Sequence, residues 1–164
     1  MLRLYDSLDS GNSYKVRLLL SQLDLPFERV HMDILRGDTR RPEYLSMNPN
    51  HRVPLIEWPD GRRLAESNAI LFHLAEGSNY LPPDPWLRAQ VLQWLFFEQY
   101  SHEPYIAVVR FWHHAGVVDE HSNELSEKQE RGYHALRVME SHLGSNEFFV
   151  SDRYSIADIA LYAY

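Results

Sequence analysis

Asn48-Pro49-Asn50-His51-Arg52-Val53-Pro54-Leu55-Ile56-Glu57-Trp58 runs into Pro59-Asp60-Gly61, then Arg62-Arg63-Leu64-Ala65, then Glu66-Ser67-Asn68-Ala69-Ile70. Pro54 to Trp58 reads as a strand. Pro59-Asp60-Gly61 is a turn signature, and Arg62 to Ala65 returns antiparallel to the first strand. Ser67 is placed to cap a helix with Ile70, Leu71 and Leu74 on its apolar side and Gly77 at its stop. A hairpin feeding a helix is thus written in succession.

Upstream, Leu2 to Asp6 alternates apolar and polar residues, as a half-buried strand does. Asp9 to Ser13 is a turn cluster. Val16, Leu19, Leu20 and Leu23 follow at helical spacing, and Asp24-Leu25-Pro26 ends that helix, because proline cannot continue the hydrogen-bond ladder. Phe27 to Met32 reads as a second strand. Strand, helix, strand in that order makes a parallel pair with a right-handed crossover. Arg36 to Met47 is polar, part loop and part short helix. The order is β-α-β, a connector, then β-β-α.

Downstream, Ser78 to Pro85 carries three prolines and reads as a linker. Trp86 to about His114 is a long apolar helical stretch, which Pro104 should kink or interrupt. Gly116 to Asn123 is a connection. Asn123 to Leu143 is a further helix with Leu125, Tyr133, Leu136, Met139 and Leu143 mostly on one side. Ser155-Ile156-Ala157-Asp158 carries a capping-box-like signal, with Tyr154 and Ile159 at the positions of a hydrophobic staple. The expected organisation is an α/β domain at 1–77, a linker at 78–85 and an all-helical domain at 86–164. Ile159 to Tyr164 ends the chain on an apolar run, so the helical domain is expected to be incomplete and the chain truncated.

The composition is that of an ordinary globular protein, with 45% hydrophobic and 24% charged residues in 164. Asp plus Glu number 23 against 16 Lys plus Arg, a net charge of −7. That argues against general nucleic-acid binding, which requires a basic surface. There is no cysteine, which excludes disulfides, thiolate metal sites and cysteine nucleophiles. No apolar run is long enough for a membrane span. Met1 to Asp6 lacks the h-region of a signal peptide. A cytoplasmic location is expected.

Three segments carry candidate chemistry. Ser10-Gly11-Asn12-Ser13 opens a helix, where amide N–H groups and the macrodipole favour an anion. A thiolate is such an anion, and a hydroxyl donor such as Ser10 would lower its pKa from roughly 8.5. The plainer reading is that Ser10, Asn12 or Ser13 caps the helix. Val53-Pro54, at the mouth of a strand, can be cis and leave the preceding backbone open to an extended peptide. An ordinary proline at a strand start is the alternative. At Glu66-Ser67 a helix start could hold a ligand carboxylate and Glu66 an ammonium group, which together suit an amino-acid headgroup. A cap with a solvated acid is the alternative there.

Taken in order, these segments resemble the glutathione site of the glutathione transferase family. Ser10-Gly11-Asn12-Ser13-Tyr14-Lys15-Val16-Arg17 resembles the active-site helix of bacterial serine-type members. Asn48 to Pro54, Glu66 to Ile70 and Ser155 to Ala160 resemble three further family motifs. The resemblance implies a thioredoxin-like N-terminal domain followed by an all-α bundle. It implies that Val53 pairs its backbone with the cysteinyl part of glutathione beside a cis Pro54. Glu66 and Ser67 would take the γ-glutamyl end, and His51 would reach the cysteinyl-glycine end. Ser10 stands where the hydroxyl that stabilises the thiolate stands in theta, zeta, delta and phi members. Asn12-Ser13-Tyr14-Lys15 also resembles the Asn-Gly-x-Lys pattern of nu-class members, in which an asparagine contacts the sulfur and disulfide reduction can be the activity. Here Ser13 replaces the glycine.

The resemblance further implies conjugation of glutathione, as co-substrate, to an electrophile, with no metal or other cofactor, in a homodimer. Glutathione-dependent disulfide or peroxide reduction at the same sulfur is one rival, and a non-catalytic regulatory protein of the same fold is another. His102, Tyr105, Val109 and Trp112 share one side of the long helix, as a wall for an apolar electrophile or as packing within the bundle. His113-His114 is a poor chelate, because adjacent helical residues do not share a face. Trp94 to Phe97 reads as core or subunit interface. The resemblance would place Glu98 and Gln99 within reach of a partner subunit's glutathione. Arg36, Arg40 and Arg41 read as a solvated basic face.

Overall fold

A computed structural model describes all of residues 1–164. The chain forms two compact units, Met1–Glu76 and Gly77–Tyr162.

The first unit is a four-stranded sheet, β1 (Leu2–Asp6), β2 (Phe27–His31), β3 (Leu55–Glu57) and β4 (Arg63–Ala65), in the order β2-β1-β3-β4. β1 and β2 are parallel. β3 runs antiparallel to both β1 and β4, with Tyr5 opposite Leu55 and Leu55 opposite Ala65. The strand period of two sorts side chains onto opposite faces. Leu4 and Ile56 pack with Val16, Leu20 and Ile70, from α1 (Gly11–Gln22) and α3 (Ser67–Leu74). Tyr5 and Leu55 pack on the other face with Met32 and with Tyr44 of α2 (Pro42–Leu45). Burying one such aliphatic side chain contributes about 1.5–3 kcal/mol. The hairpin closes as expected, with Gly61 at φ 84° and its N–H donating to the Trp58 carbonyl. That positive φ is open to glycine without steric cost.

Asp6 fixes the exit from β1. It is fully buried and accepts from Arg17 of α1 and, at 2.7 Å, from Arg29 Nε of β2. Arg17 also donates to the carbonyls of Ser7 and Leu8. One carboxylate therefore holds the turn that leads to Ser10 against both neighbouring elements.

The second unit is helical: α4 (Pro85–Phe97), α5 (Glu103–Ala115), α6 (Ser122–Leu143) and α7 (Ile156–Tyr162). The expected interruption before Pro104 is a π-turn at Glu98–His102, where the Glu103 N–H donates to the Glu98 carbonyl. Proline removes a ladder donor, and the wider turn absorbs the mismatch. Both Glu98 and His102 are fully buried in it. The apolar side chains of α6 are not its most buried residues. Tyr133, Leu136 and Leu143 are exposed, at 62%, 40% and 39%, while Gly132 and Ala135 are buried. Gly132 lies against α5, where an added Cβ would be 3.2 Å from Ile106 Cγ1, and the long side chains of Lys128 and Arg131 reach over the Tyr105 ring beside it. Close approach of the two helices at Gly132 favours a small residue there. No helix is long and apolar enough to cross a membrane.

Candidate functional site

The candidate site lies in the first unit, where the N-termini of α1 and α3 and the loop before β3 supply the predicted residues. Ser10 caps α1 and its Oγ accepts from the Ser13 N–H at 3.2 Å. A hydroxyl that accepts still has its own hydrogen to donate. Ser13, where the nu-class pattern has glycine, is fully buried, and its Oγ makes no hydrogen bond.

Asn12 and Ser67 meet. The Ser67 hydroxyl donates to Asn12 Oδ1 at 3.0 Å. Lys15 joins them: its Nζ donates to the same Oδ1 at 2.8 Å and lies 3.5 Å from Ser67 Oγ. Lys15 is fully buried, and Ser67 is 4% exposed. The sequence reading gave Lys15 no role beyond its place in the Asn12-Ser13-Tyr14-Lys15 motif. The signal was there, because Lys15 precedes Leu19 by four residues and so falls within the apolar stripe of α1.

Glu66, not Ser67, occupies the cap position of α3, at φ 66° and ψ 112° and with no side-chain cap bond. The cap expected from Ser67 fails because Ser67 is already helical and turned toward α1. An α-helix leaves its first N–H groups without intrahelical partners. The α3 terminus thus keeps donors that its own cap residue does not take. Glu66 Oε1 accepts from Asn50 Nδ2 at 3.3 Å, which ties the loop before β3 to the start of α3.

That loop carries His51, Val53 and Pro54. The Val53–Pro54 bond is cis, and Val53 stands ahead of the ladder, which starts at Leu55. Two side chains hold the loop through one carbonyl: Tyr44 Oη donates to the Arg52 oxygen at 2.6 Å and Asn48 Nδ2 donates at 2.9 Å. Asn48 Oδ1 accepts from the Asn50 N–H, and the His51 N–H donates to the Asn48 carbonyl. Burial pushes the Tyr44 phenol up to about 12. His51 is exposed, at φ 46°.

In the second unit, the four residues suggested for an electrophile wall have different surroundings. His102 is fully buried in the π-turn. Trp112 is 7% exposed and stacks on His121, with centroids 4.1 Å apart. The Tyr105 hydroxyl accepts from Arg131 of α6 at 3.0 Å. Tyr105 lines an open cavity of about 500 Å³ with Tyr100, Arg131, His134 and Arg137. Val109 is half-buried on α5.

Residues 1–76 match the glutathione S-transferase N-terminal domain, and residues 89–164 match the glutathione S-transferase C-terminal domain. The chain belongs to the glutathione S-transferase family. Among solved structures, a glutathione S-transferase from Pseudomonas fluorescens is 52% identical, with a TM-score of 0.96 over 99% of this chain and 82% of that one. A glutathione transferase from Pseudomonas putida, with one glutathione disulfide bound per subunit, is 33% identical, with a TM-score of 0.88 over 99% of this chain and 73% of that one. Among curated relatives, the disulfide-bond oxidoreductase YfcG of Escherichia coli is 30% identical over 158 residues, 91% of this chain and 72% of the relative. The chain spans 42% and 41% of the length of the Ure2 proteins of Meyerozyma guilliermondii and Debaryomyces hansenii, which it matches at 33% and 32% identity. The thioredoxin-like sheet domain followed by a helical domain, expected from the sequence, is the fold of this transferase family.

Proposed function

We propose that this transferase-family chain binds glutathione in its first unit, stabilises the thiolate, and directs the sulfur onto an electrophilic carbon, whose leaving group departs with the bonding pair. The observation that carries the reading is the meeting of Asn12, Lys15 and Ser67 at the adjoining starts of α1 and α3. Hydrogen-bond donors and a buried cation gather there, beside a loop with a cis Val53–Pro54 bond. Ser67, through its backbone N–H, and Glu66 would hold the carboxylate and ammonium of the γ-glutamyl group. The Val53 backbone would pair with the cysteinyl residue, and His51 would approach the glycyl carboxylate. Ser10 and Asn12 are the candidate donors to the sulfur, at the positive end of α1. Pre-positioned donors and a held nucleophile would supply the rate. A cytoplasmic homodimer acting on small electrophiles completes the reading.

Reduction of disulfides by the same thiolate is the second reading. It is favoured by the similarity to YfcG and to the transferase solved with glutathione disulfide. In that reaction the thiolate attacks one sulfur of a disulfide and the other sulfur leaves as thiolate.

The test is an ultraviolet difference titration of glutathione with the protein across pH, following thiolate absorbance. A saturable signal persisting well below the pH at which free glutathione ionises is the expected result. No signal from folded protein would overturn the proposal and leave a non-catalytic relative. Product analysis with an aryl halide and with a mixed disulfide then separates the two activities.

A further inference from the structure

Lys15 has no assigned part in the chemistry above, yet it is fully buried. Burying an ammonium group is costly unless its donors are satisfied. The Lys15 ammonium donates to Asn12 Oδ1 at 2.8 Å and lies 3.5 Å from Ser67 Oγ. An ammonium group can only donate. The end of the Asn12 carboxamide that faces it is therefore the oxygen. Ser67 donates to the same oxygen at 3.0 Å. Two donors from two helices converge on one acceptor, so rotating the carboxamide would set its NH2 group against an ammonium. The NH2 group stands at the other end.

We infer that Lys15 is a positioning residue: with Ser67 it locks the Asn12 carboxamide oxygen-inward, so that the Asn12 NH2 group is the donor offered to the sulfur of a bound thiol. This inference rests on the glutathione reading above. Its chemistry follows from the acceptor character of a thiolate. An inward oxygen and outward NH2 group stabilise the anion, whereas the flipped amide would present a lone pair to it and repel it. The lock also links the two ends of the ligand. Ser67, at the start of α3, is hydrogen-bonded to the same oxygen that orients the sulfur donor at the start of α1.

The test compares wild type, Lys15→Met, Lys15→Arg, Asn12→Ala and the Lys15→Met/Asn12→Ala double variant. Two readouts are used: affinity for S-methylglutathione, which has no thiol to ionise, and the pKa of bound glutathione from its thiolate absorbance. Lys15→Met is expected to raise the bound-thiol pKa by about one unit, the scale of losing a well-placed donor or charge. Lys15→Arg, which keeps charge and donors, restores part of the shift. In the Asn12→Ala background the Lys15→Met shift largely disappears. An undiminished shift in that background would mean that Lys15 acts by its charge alone and would overturn the inference. So would a pKa unchanged in folded Lys15→Met. Should Lys15→Met fail to fold, Asn12→Asp decides. It keeps an acceptor for both inward donors but replaces NH2 with oxygen, so it is expected to fold, judged by circular dichroism, and to lose the low thiol pKa. Retention of the low pKa would overturn the inference. Wild type that fails to bind S-methylglutathione would instead overturn the glutathione reading itself.

Discussion

The starts of α3 and α7 face the same physical problem and meet it in opposite ways. At α7 the chain satisfies itself. Ser155 Oγ accepts from the Ala157 N–H at 3.2 Å, and Asp158 Oδ2 accepts from the Ser155 N–H at 2.8 Å and from the Ser155 hydroxyl at 3.0 Å. The other oxygen of Asp158 accepts from the Phe149 N–H at 3.0 Å. At α3 the cap residue, Glu66, makes no cap bond and sits at a positive φ. The next residue spends its hydroxyl on Asn12 of another helix. A start closed by its own side chains holds a fold together. A start left open, on strained backbone, suits a ligand.

The closed end offers the largest effect. Asp158→Ala removes the acceptor of two backbone N–H groups and a hydroxyl. Losing a cap and leaving buried donors unpaired should cost about 3 kcal/mol. Urea unfolding followed by tryptophan fluorescence measures it, since three of the four tryptophans, Trp86, Trp94 and Trp112, lie in the second unit. Glutathione affinity should stay near wild type while the protein is folded. A variant of unchanged stability but weakened binding would reverse the contrast between the two helix starts.

The open end depends on its supports, and Tyr44 provides the next effect. Its phenol is pushed up to about 12 in the fold by burial, against about 10 for an unfolded tyrosine. The unfolded chain therefore loses this proton first as pH rises. Stability conferred by the neutral phenol is present below pH 10 and falls between pH 10 and 12, by about 2 kcal/mol. The Tyr44→Phe variant should lose part of its stability at neutral pH, with the bond to Arg52, and then follow a flatter curve over that window. Equal slopes for the two proteins in alkaline urea titrations would remove Tyr44 from the account.

Glu66→Gly probes the strain directly. Glycine adopts a positive φ at no steric cost, and such positions store about 1–3 kcal/mol. The variant should gain about 1 kcal/mol in stability once the greater freedom of its unfolded chain is subtracted. It should also bind glutathione about tenfold more weakly, having lost the carboxylate offered to the ligand ammonium. A loss of stability together with unchanged affinity would make Glu66 an ordinary structural residue and erase the contrast with α7.

How far this was legible in the sequence follows from which signals are local. Alternation in Leu2–Asp6, the Pro59-Asp60-Gly61 turn and the helical spacing of Val16, Leu19 and Leu20 are local, and they yielded strands and helices within a few residues of their positions in the fold. The break ahead of Pro104 was legible for the same reason. Lys15 was legible only as a position within the apolar stripe of α1, and a lysine on a helix normally marks the solvated face. Only the packing of α1 against α3 turns that side chain into a buried donor. The cap at α3 was misplaced by one residue, since Ser67 has the chemistry of a cap and only the backbone at Glu66 shows that the helix has already begun. On α6 the spacing of Leu125, Tyr133, Leu136, Met139 and Leu143 gave the helix but not its most buried positions, because Gly132 and Ala135 carry no apolar bulk to mark them.

The smallest expected effect separates donors from bystanders at the start of α1. Ser13 sits one turn into the helix, fully buried, with an Oγ that has no partner. A buried hydroxyl without a hydrogen bond costs about 1–3 kcal/mol, and alanine has the better helix propensity by a few tenths of a kcal/mol. Against these gains stands a small void left by one oxygen atom. Ser13→Ala should therefore stabilise the protein by about 1 kcal/mol, read as a rise of about 2–4 °C in Tm. The Ser10 cap is untouched by the change, because it uses the Ser13 backbone N–H and not the side chain. Bound-thiol pKa should accordingly stay the same. If Ser13→Ala instead raises that pKa, the Ser13 hydroxyl turns toward the ligand when the site is filled. The start of α1 would then hold a third donor to the sulfur, and its unpartnered state would be the mark of an open helix end, like that of α3.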